Sequence, residues 1–500
     1  MSAADAHARR VDSYDAVPQD ANSTARLPHV PGYGDEEDVA GADDASADEP
    51  LPPPTASTRR IMLMLGAAIL LPWNAMITAS GYFASRLADS PHASRFSYTL
   101  SSTLTVANLL CLLHSTLTSK RSPVTRRLRM SGLLITGLFA LLAVTTIVRG
   151  IPPTPFFWLV LIAGAIQSGA GSYMNTAVFA LSSLFGPLTL QAAMAGQAAA
   201  GVLVSIVQFI TTYSAQRQGT GVNGAMTAQD EADEADANAT AAFWFFAFST
   251  AFMLASLLGH AYVARQRTFG RVVEPFEEIQ VALKETATTG IGKDELKQIG
   301  RVAKANAIYN GTVAFVFAVT LVRVCSCVFR LTVGLPTFVR LSPQSVYPAI
   351  TGSVTPASPA NDRSLRNPAL FTALHFIAFN VGDWSGRYAC SYERLQIHNP
   401  RTILLLAVTR LLFIPIFLSC NVTGSGGAPD ALFLLSVLAL GITGGWLGSL
   451  CMMGAADPVH NHRLKAREDV DTAATIASFC LVGGLTLGSF ASFGVSSLIK

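Results

Sequence analysis

Charged residues are scarce in this chain. Asp, Glu, Lys and Arg make up 13% of its 500 residues, about half the roughly 25% of an ordinary soluble domain. Half of the residues are hydrophobic, and the mean hydropathy is +0.40. A soluble globular class is therefore excluded, and a lipid bilayer is the expected surroundings. The net charge of +3 is small and by itself says nothing about nucleic acid; the basic residues matter by position, and no nucleic-acid polymer is expected as a partner. The cysteines are seven and scattered (Cys111, Cys325, Cys327, Cys390, Cys420, Cys451 and Cys480). Most lie in or beside apolar runs, which argues against a disulfide framework. Cys325-x-Cys327 has the wrong spacing for zinc, and His460-x-His462 shows no partners nearby. Neither a metal nor a cofactor is expected. No Gly-rich phosphate loop is present, which excludes direct ATP drive. No early apolar stretch reads as a cleaved leader.

What the chain does have is long apolar runs. Residues 1–60 are polar, acidic and Pro-rich and read as a disordered tail. Runs long enough to cross a bilayer then recur near 61–83, 96–118, 131–150, 155–178, 190–213, 241–264, 302–321, 368–391, 401–420, 431–454 and 472–497. They predict an all-α polytopic protein of about eleven transmembrane helices, with helices 1–6 in 61–265, a loop at 266–301 and helices 7–11 in 302–500. Basic residues concentrate in three links: Lys120 to Arg129, Arg265 to Lys304, and Arg463 to Arg467. All three fall on the side of the N-terminal tail. By the positive-inside tendency that side is cytosolic, and the C-terminus is extracellular or lumenal. The opposite links hold two Asn-x-Thr sequons, at Asn238 and Asn421, which read as glycosylation acceptors. Asn310-Gly-Thr is a third sequon, inside a span.

One apolar run carries charges. In FIAFNVGDWSGR, Phe376 to Arg387, Asp383 and Arg387 are four apart and Asn380 lies one turn earlier. On a helix the three share a face. Each charge costs at least about 2.5–3.5 kcal/mol in mid-membrane, so the face must look into the bundle or a wet cavity. Two readings follow: an intrahelical ion pair that locks the bundle, or a polar site on a solute path. An enzyme would need a second catalytic group at suitable spacing from Asp383, and none is found. Elsewhere, AGAIQSGAGS, AAMAGQAAAG and GGLTLGS are dense in small residues, the usual basis of close helix contact in lipid. Gln167 and Gln197 within them are amides in hydrocarbon and need partners, either another helix or a ligand.

Four phrases resemble one family: LLPWNAMITASGYF (Leu70 to Phe83), FNVGDWSGR (Phe379 to Arg387), GGWLGSLCMMGA (Gly444 to Ala455) and AREDVDTAATIASFCLVGGLTLGS (Ala466 to Ser489). Together, and in this order, they are similar to the equilibrative nucleoside transporters, a solute-carrier family, here in a fungal-like form. The resemblance implies a major-facilitator-like packing of six helices against five, with alternating access to a midplane site. It also implies transport of purine or pyrimidine nucleosides, or nucleobases, either down the gradient or coupled to protons. The vacuolar or endomembrane and plasma membranes are both locations it admits. It implies that Trp73 packs beside the base, that Gln167 bonds the base, and that Asp383 and Arg387 hold the ribose hydroxyls with Asn380 and Phe376 alongside. Leu70 and Leu447 become wall positions, and Gly196 and Gln197 lie near the permeation path. Carboxylate and guanidinium suit adjacent hydroxyls. Taken alone, Trp73 also reads as an interfacial anchor, Gln167 as an interhelical bond, and the two leucines as core. Two departures stand out: Gly444 replaces the family's Asn before Gly445, with Trp446 following where it narrows the route, and Ile77 stands four after Trp73. A transporter of another polar solute, a sugar or a drug, is the alternative.

Residues 322–345 interrupt the seventh run with Arg323, Arg330 and Arg340. Joining Leu321 to Val346 restores one apolar span. The segment reads as an insertion, and its ends allow the signals of a short translated intron. A re-entrant loop is the alternative, in which each arginine needs its own partner.

Overall fold

The computed structural model describes residues 54–88, 90–148, 150–217, 228–286, 293–321, 367–420, 429–464 and 468–499. The tail through residue 53, residues 322–345, and Asn421 lie outside them. Among the described residues all regular structure is helical. In chain order the α-helices are α1 Ala56–Thr78, α2 Ser80–Arg86, α3 Ala93–Leu117, α4 Val124–Ile147, α5 Pro153–Leu184, α6 Pro187–Arg217, α7 Ala228–Ala264, α8 Arg267–Thr286, α9 Lys293–Ala305 and α10 Ala307–Leu321. Five follow: α11 Pro368–Ala389, α12 Pro400–Thr409, α13 Phe413–Ser419, α14 Asp430–Ala455 and α15 Glu468–Ile499.

Among the described residues nine helices or near-continuous helix pairs are long and apolar enough to cross a membrane, and a tenth counts if α9 and α10, bent by 72° at Asn306, are one span. The polar helix α11 is not among these, because Asp383, Arg387 and His375 lower its hydropathy. The expected run at 401–420 forms one candidate span, Pro400–Phe417, in which α12 ends at Thr409, a 3-10 turn covers Arg410–Leu412, and α13 follows with Pro415 near its start. The first helix begins at Ala56, inside the expected tail, where the Thr55 hydroxyl accepts from the Thr58 N–H at 3.2 Å and caps it.

Within the expected loop at 266–301 the described residues form helix α8, Arg267–Thr286, and most of α9. Phe269, Val272, Val273, Phe276 and Gln280 of α8 are buried, at the spacing of one helix face, so α8 lies with that stripe against the end of the bundle. Ties at this end join the basic links. The Thr125 N–H and hydroxyl donate to Glu277, Arg121 to Glu295, and Arg301 to both carboxylate oxygens of Asp469 at 2.8 and 2.9 Å. The three basic links do share one end.

Helix contact is closest where glycines face backbone. Gly66 and Gly196 join α1 to α6: a Cβ on either would stand 1.9 Å from Ala193 O or 1.8 Å from Leu63 O. Between α11 and α14 the fit is reciprocal. Gly382 and Gly386 of α11 meet Leu438 O and Ile442 O, while Gly441 and Gly445 of α14 meet Phe379 O and Asp383 O, all with a virtual Cβ at 2.4 Å or less. Each helix thus carries small-xxx-small spacing. Gly386→Ala forces the axes apart and is expected to cost about 1–3 kcal/mol. Gly171→Ala, which has open space, is expected to stay within about 0.5 kcal/mol of the parent. Thermal unfolding in detergent compares the two; equal midpoints would refute the contact.

Candidate functional site

The Asp383–Arg387 pair forms as the spacing predicts. Arg387 Nε donates to Asp383 Oδ2 at 2.9 Å, and the residues are only 9% and 7% exposed. The guanidinium also donates to Met194 O on α6 at 3.3 Å and lies over the Phe317 ring of α10, 5.9 Å from its centroid. From the other side Gln191 Nε2 donates to Arg387 O at 2.8 Å. One turn earlier, Asn380 Nδ2 donates to Ser205 Oγ at 2.7 Å and to Phe376 O at 2.9 Å. Asn380 is therefore seated on α6, against Gly201, where a Cβ would meet its Oδ1 at 2.8 Å. Phe376 is buried and packs on His375, ring centroids 4.2 Å apart. The glycine seam presses α14 onto this helix, and Asp383 Oδ1 lies 3.0 Å from where a Gly445 methyl would be.

A second group lies on α1 and α5. Pro72 has no N–H, so the carbonyl one turn before it lacks its helical partner. Gln167 Nε2 donates to Pro72 O at 3.0 Å, which ties the amide to the backbone next to Trp73 in the chain. Gln167 is 1% exposed, yet its Oε1 has no hydrogen-bond partner among the described residues. A buried acceptor left this way costs about 1–3 kcal/mol, which a bound N–H donor would recover. Trp73 is half-buried against the core, and Asn74 Nδ2 donates to Leu70 O at 3.1 Å.

Helix α6 joins the two groups, touching α1 through its glycines and α11 through Gln191, Met194 and Ser205. Gln197 Nε2 donates to Asn175 Oδ1 at 3.3 Å, and Asn175 Nδ2 to Ser478 Oγ at 2.9 Å. The amide expected near the path is therefore one link of a polar chain running from α6 through α5 to α15. Gly196 serves close packing against Leu63. Leu447 is fully buried in the core, and Leu70 is half-buried. Trp446 lies inside α14, its indole N–H donating to Leu395 O at 2.9 Å. Asn238 sits within α7, partly buried beside Gly81.

Arg410 was not singled out from the sequence, and it is the largest of the fully buried side chains, 1% exposed. It donates to Val316 O at 2.8 Å, Thr320 Oγ1 at 3.0 Å and Leu440 O at 3.3 Å. It thus pins the span α12–α13, at its 3-10 turn, to α10 and α14. Its Nη2 would stand 3.0 Å from a Cβ at Gly444, so the departure from the family's Asn at Gly444 leaves room for the guanidinium. His460 also has partners that the sequence reading lacked, Asp457 and His398.

Residues 161–496 match the family described as nucleoside transporter. Among curated proteins, equilibrative nucleoside transporter 1 of Rattus norvegicus is 24% identical over 474 residues, covering 88% of this chain and 96% of that protein. Equilibrative nucleoside transporter 2 of Homo sapiens is 26% identical over 87% of this chain and 96% of its own length. The equilibrative nucleotide transporter 2 of Arabidopsis thaliana is 26% identical over 79% and 85%. With a family match across more than half its length, this chain belongs to the nucleoside transporter family.

Proposed function

We propose that this chain moves nucleosides across a membrane by alternating access, with the base against Trp73 and Gln167 and the ribose at Asp383 and Arg387. The observation that carries the reading is the orphan Gln167 Oε1, a buried acceptor whose own Nε2 is tied to Pro72 O, next to Trp73 in the chain. A nucleobase supplies what that site lacks: an N–H donor on the edge of a flat ring. The buried carboxylate–guanidinium pair suits the other end of the molecule, because a carboxylate accepts from, and a guanidinium donates to, adjacent ribose hydroxyls. Asn380 and Phe376 line the same helix. The family is one of transporters rather than enzymes. Helix α11 completes the set of spans as an inner, polar helix, which gives six helices followed by five. The end bearing the basic links is cytosolic on this reading. Protons remain a candidate coupling partner, and residues 322–345 a candidate insertion.

Purified chain in proteoliposomes should take up radiolabelled adenosine or uridine, and an inward proton gradient should change the rate only if protons are coupled. A form lacking residues 322–345, run in parallel, tests the insertion: uptake restricted to the shortened form supports it, and equal uptake by both rejects it. No uptake by either form, with protein correctly inserted, sinks the nucleoside reading and favours another polar solute.

A further inference from the structure

The fold gathers His398, Asp457 and His460 at the end of the bundle that carries α8 and α9. His398 stands on the link between α11 and α12, and the other two on the link between α14 and α15. Asp457 is buried and fixed: its Oδ1 accepts from the Val459 N–H at 2.9 Å, and its Oδ2 lies 2.6 Å from His460 Nδ1. The His398 ring stacks face to face on His460, centroids 3.7 Å and planes 10° apart. Its backbone is held by the Tyr309 hydroxyl, which donates to His398 O at 2.8 Å. One donor atom from each of the three residues lies within 4.8 Å of the others. Both imidazoles are exposed, and His460 and His462 line a neighbouring cavity of about 230 Å³. Arg463 also lines it, but its guanidinium donates to Ala305 O.

We propose that His398, Asp457 and His460 bind a divalent transition-metal ion of the zinc type, which ties the α11–α12 link to the α14–α15 link. Two imidazoles and one carboxylate are donors suited to such ions, whereas magnesium and calcium take oxygen ligands. A tetrahedral ion with bonds of about 2.0–2.2 Å holds its donors about 3.3 Å apart. The buried carboxylate supplies the fixed point, and rotation of two exposed rings closes the remaining gap. Water fills the fourth position. Binding breaks the His460–Asp457 hydrogen bond; the neutral ring then carries its one proton on the nitrogen that faces solvent, with no net proton released. The ion then replaces a stacked imidazole pair with one coordinated centre.

The test is Zn²⁺ titration calorimetry on the full chain in detergent, purified through a tag without histidine. Co²⁺ absorption serves as a second, spectroscopic readout. One saturable site is expected, with the visible bands of four-coordinate Co²⁺. His398→Ala and His460→Ala should each weaken it by about tenfold or more, and Asp457→Asn should do likewise, while His462→Ala leaves it. His398 is exposed, so its replacement leaves the fold intact, and a lost signal there reports the ligand. Absence of a saturable site in the parent chain, or an unchanged site in the His398→Ala/His460→Ala double variant, overturns the assignment. None of these outcomes depends on nucleoside uptake.

Discussion

Asp383→Ala is expected to lower ribonucleoside uptake by about two orders of magnitude or more, since removing one partner of a buried ion pair costs about 3–5 kcal/mol. Arg387→Ala is expected to do the same. Two physical accounts give this result, and they part at the double replacement. If the pair only locks α11 in place, replacing both residues by apolar ones of similar volume, Asp383→Leu with Arg387→Met, removes two buried charges at once. Such exchanges are often neutral or stabilising, so both stability and transport would return. If the pair binds the ribose, stability returns and transport does not. Substrate chemistry gives a second discriminator. A 2′,3′-dideoxynucleoside lacks the adjacent 2′- and 3′-hydroxyls that the pair would hold, so its slow uptake should be nearly indifferent to Asp383→Ala. An equal loss for both substrates would count against ribose recognition. Thermal unfolding of each variant, run beside uptake, separates the two accounts.

The Asp383–Arg387 pair was legible because its signal is local: two charges, four apart, in an apolar run, with a helix as the only structure that lets them meet. Gln167 and Gln197 were legible for a similar reason, as amides in hydrocarbon. Their partners were not, because one is a backbone carbonyl at Pro72 and the other is Asn175 on a different helix. Arg410 shows the limit most clearly. Its acceptors are mainly the carbonyls of Val316 and Leu440, and a carbonyl leaves no residue type to read. The α11–α14 seam was missed because a glycine acquires meaning only when the opposing backbone is known; Gly382 and Gly386 sit beside louder charges in the same phrase. The stretch 266–301 was read only as the link between the sixth and seventh runs, because no apolar run crosses it, although the spacing from Phe269 to Gln280 was already helical. The cluster at His398 depends on two links that only the tertiary fold brings together.

At the end of the bundle, Lys120→Met is expected to destabilise the chain, and the size of the loss depends on Arg127. Lys120 Nζ lies 2.7 Å from Asp471 Oδ1, with side chains 8% and 0% exposed. It joins the α3–α4 link of the first half to α15 of the second. Asp471 without a cation would be a buried bare carboxylate, a loss of about 3–5 kcal/mol. A second cation is within reach, however. Arg127 is buried and lies within electrostatic range of Asp471. Its three guanidinium nitrogens and Asp471 Oδ2 all lack hydrogen-bond partners among the described residues. Arg127 is therefore expected to take over the carboxylate, holding the cost of Lys120→Met to about 2–3 kcal/mol, at or below the low end of that range. Arg127→Met alone leaves Lys120 on Asp471 and removes a buried charge that has no hydrogen-bond partner among the described residues, so it should be neutral or stabilising by about 1 kcal/mol. The double variant strips Asp471 of both cations and should exceed the sum of the singles by about 1 kcal/mol or more, the mark of a shared partner. Denaturation midpoints of the four proteins measure this directly; additivity within about 0.5 kcal/mol would show that Arg127 does not answer to Asp471. In a transporter working by alternating access this end must open in each cycle. Two cations on one half competing for one carboxylate on the other would let the contact be remade in steps, instead of breaking a single buried pair outright.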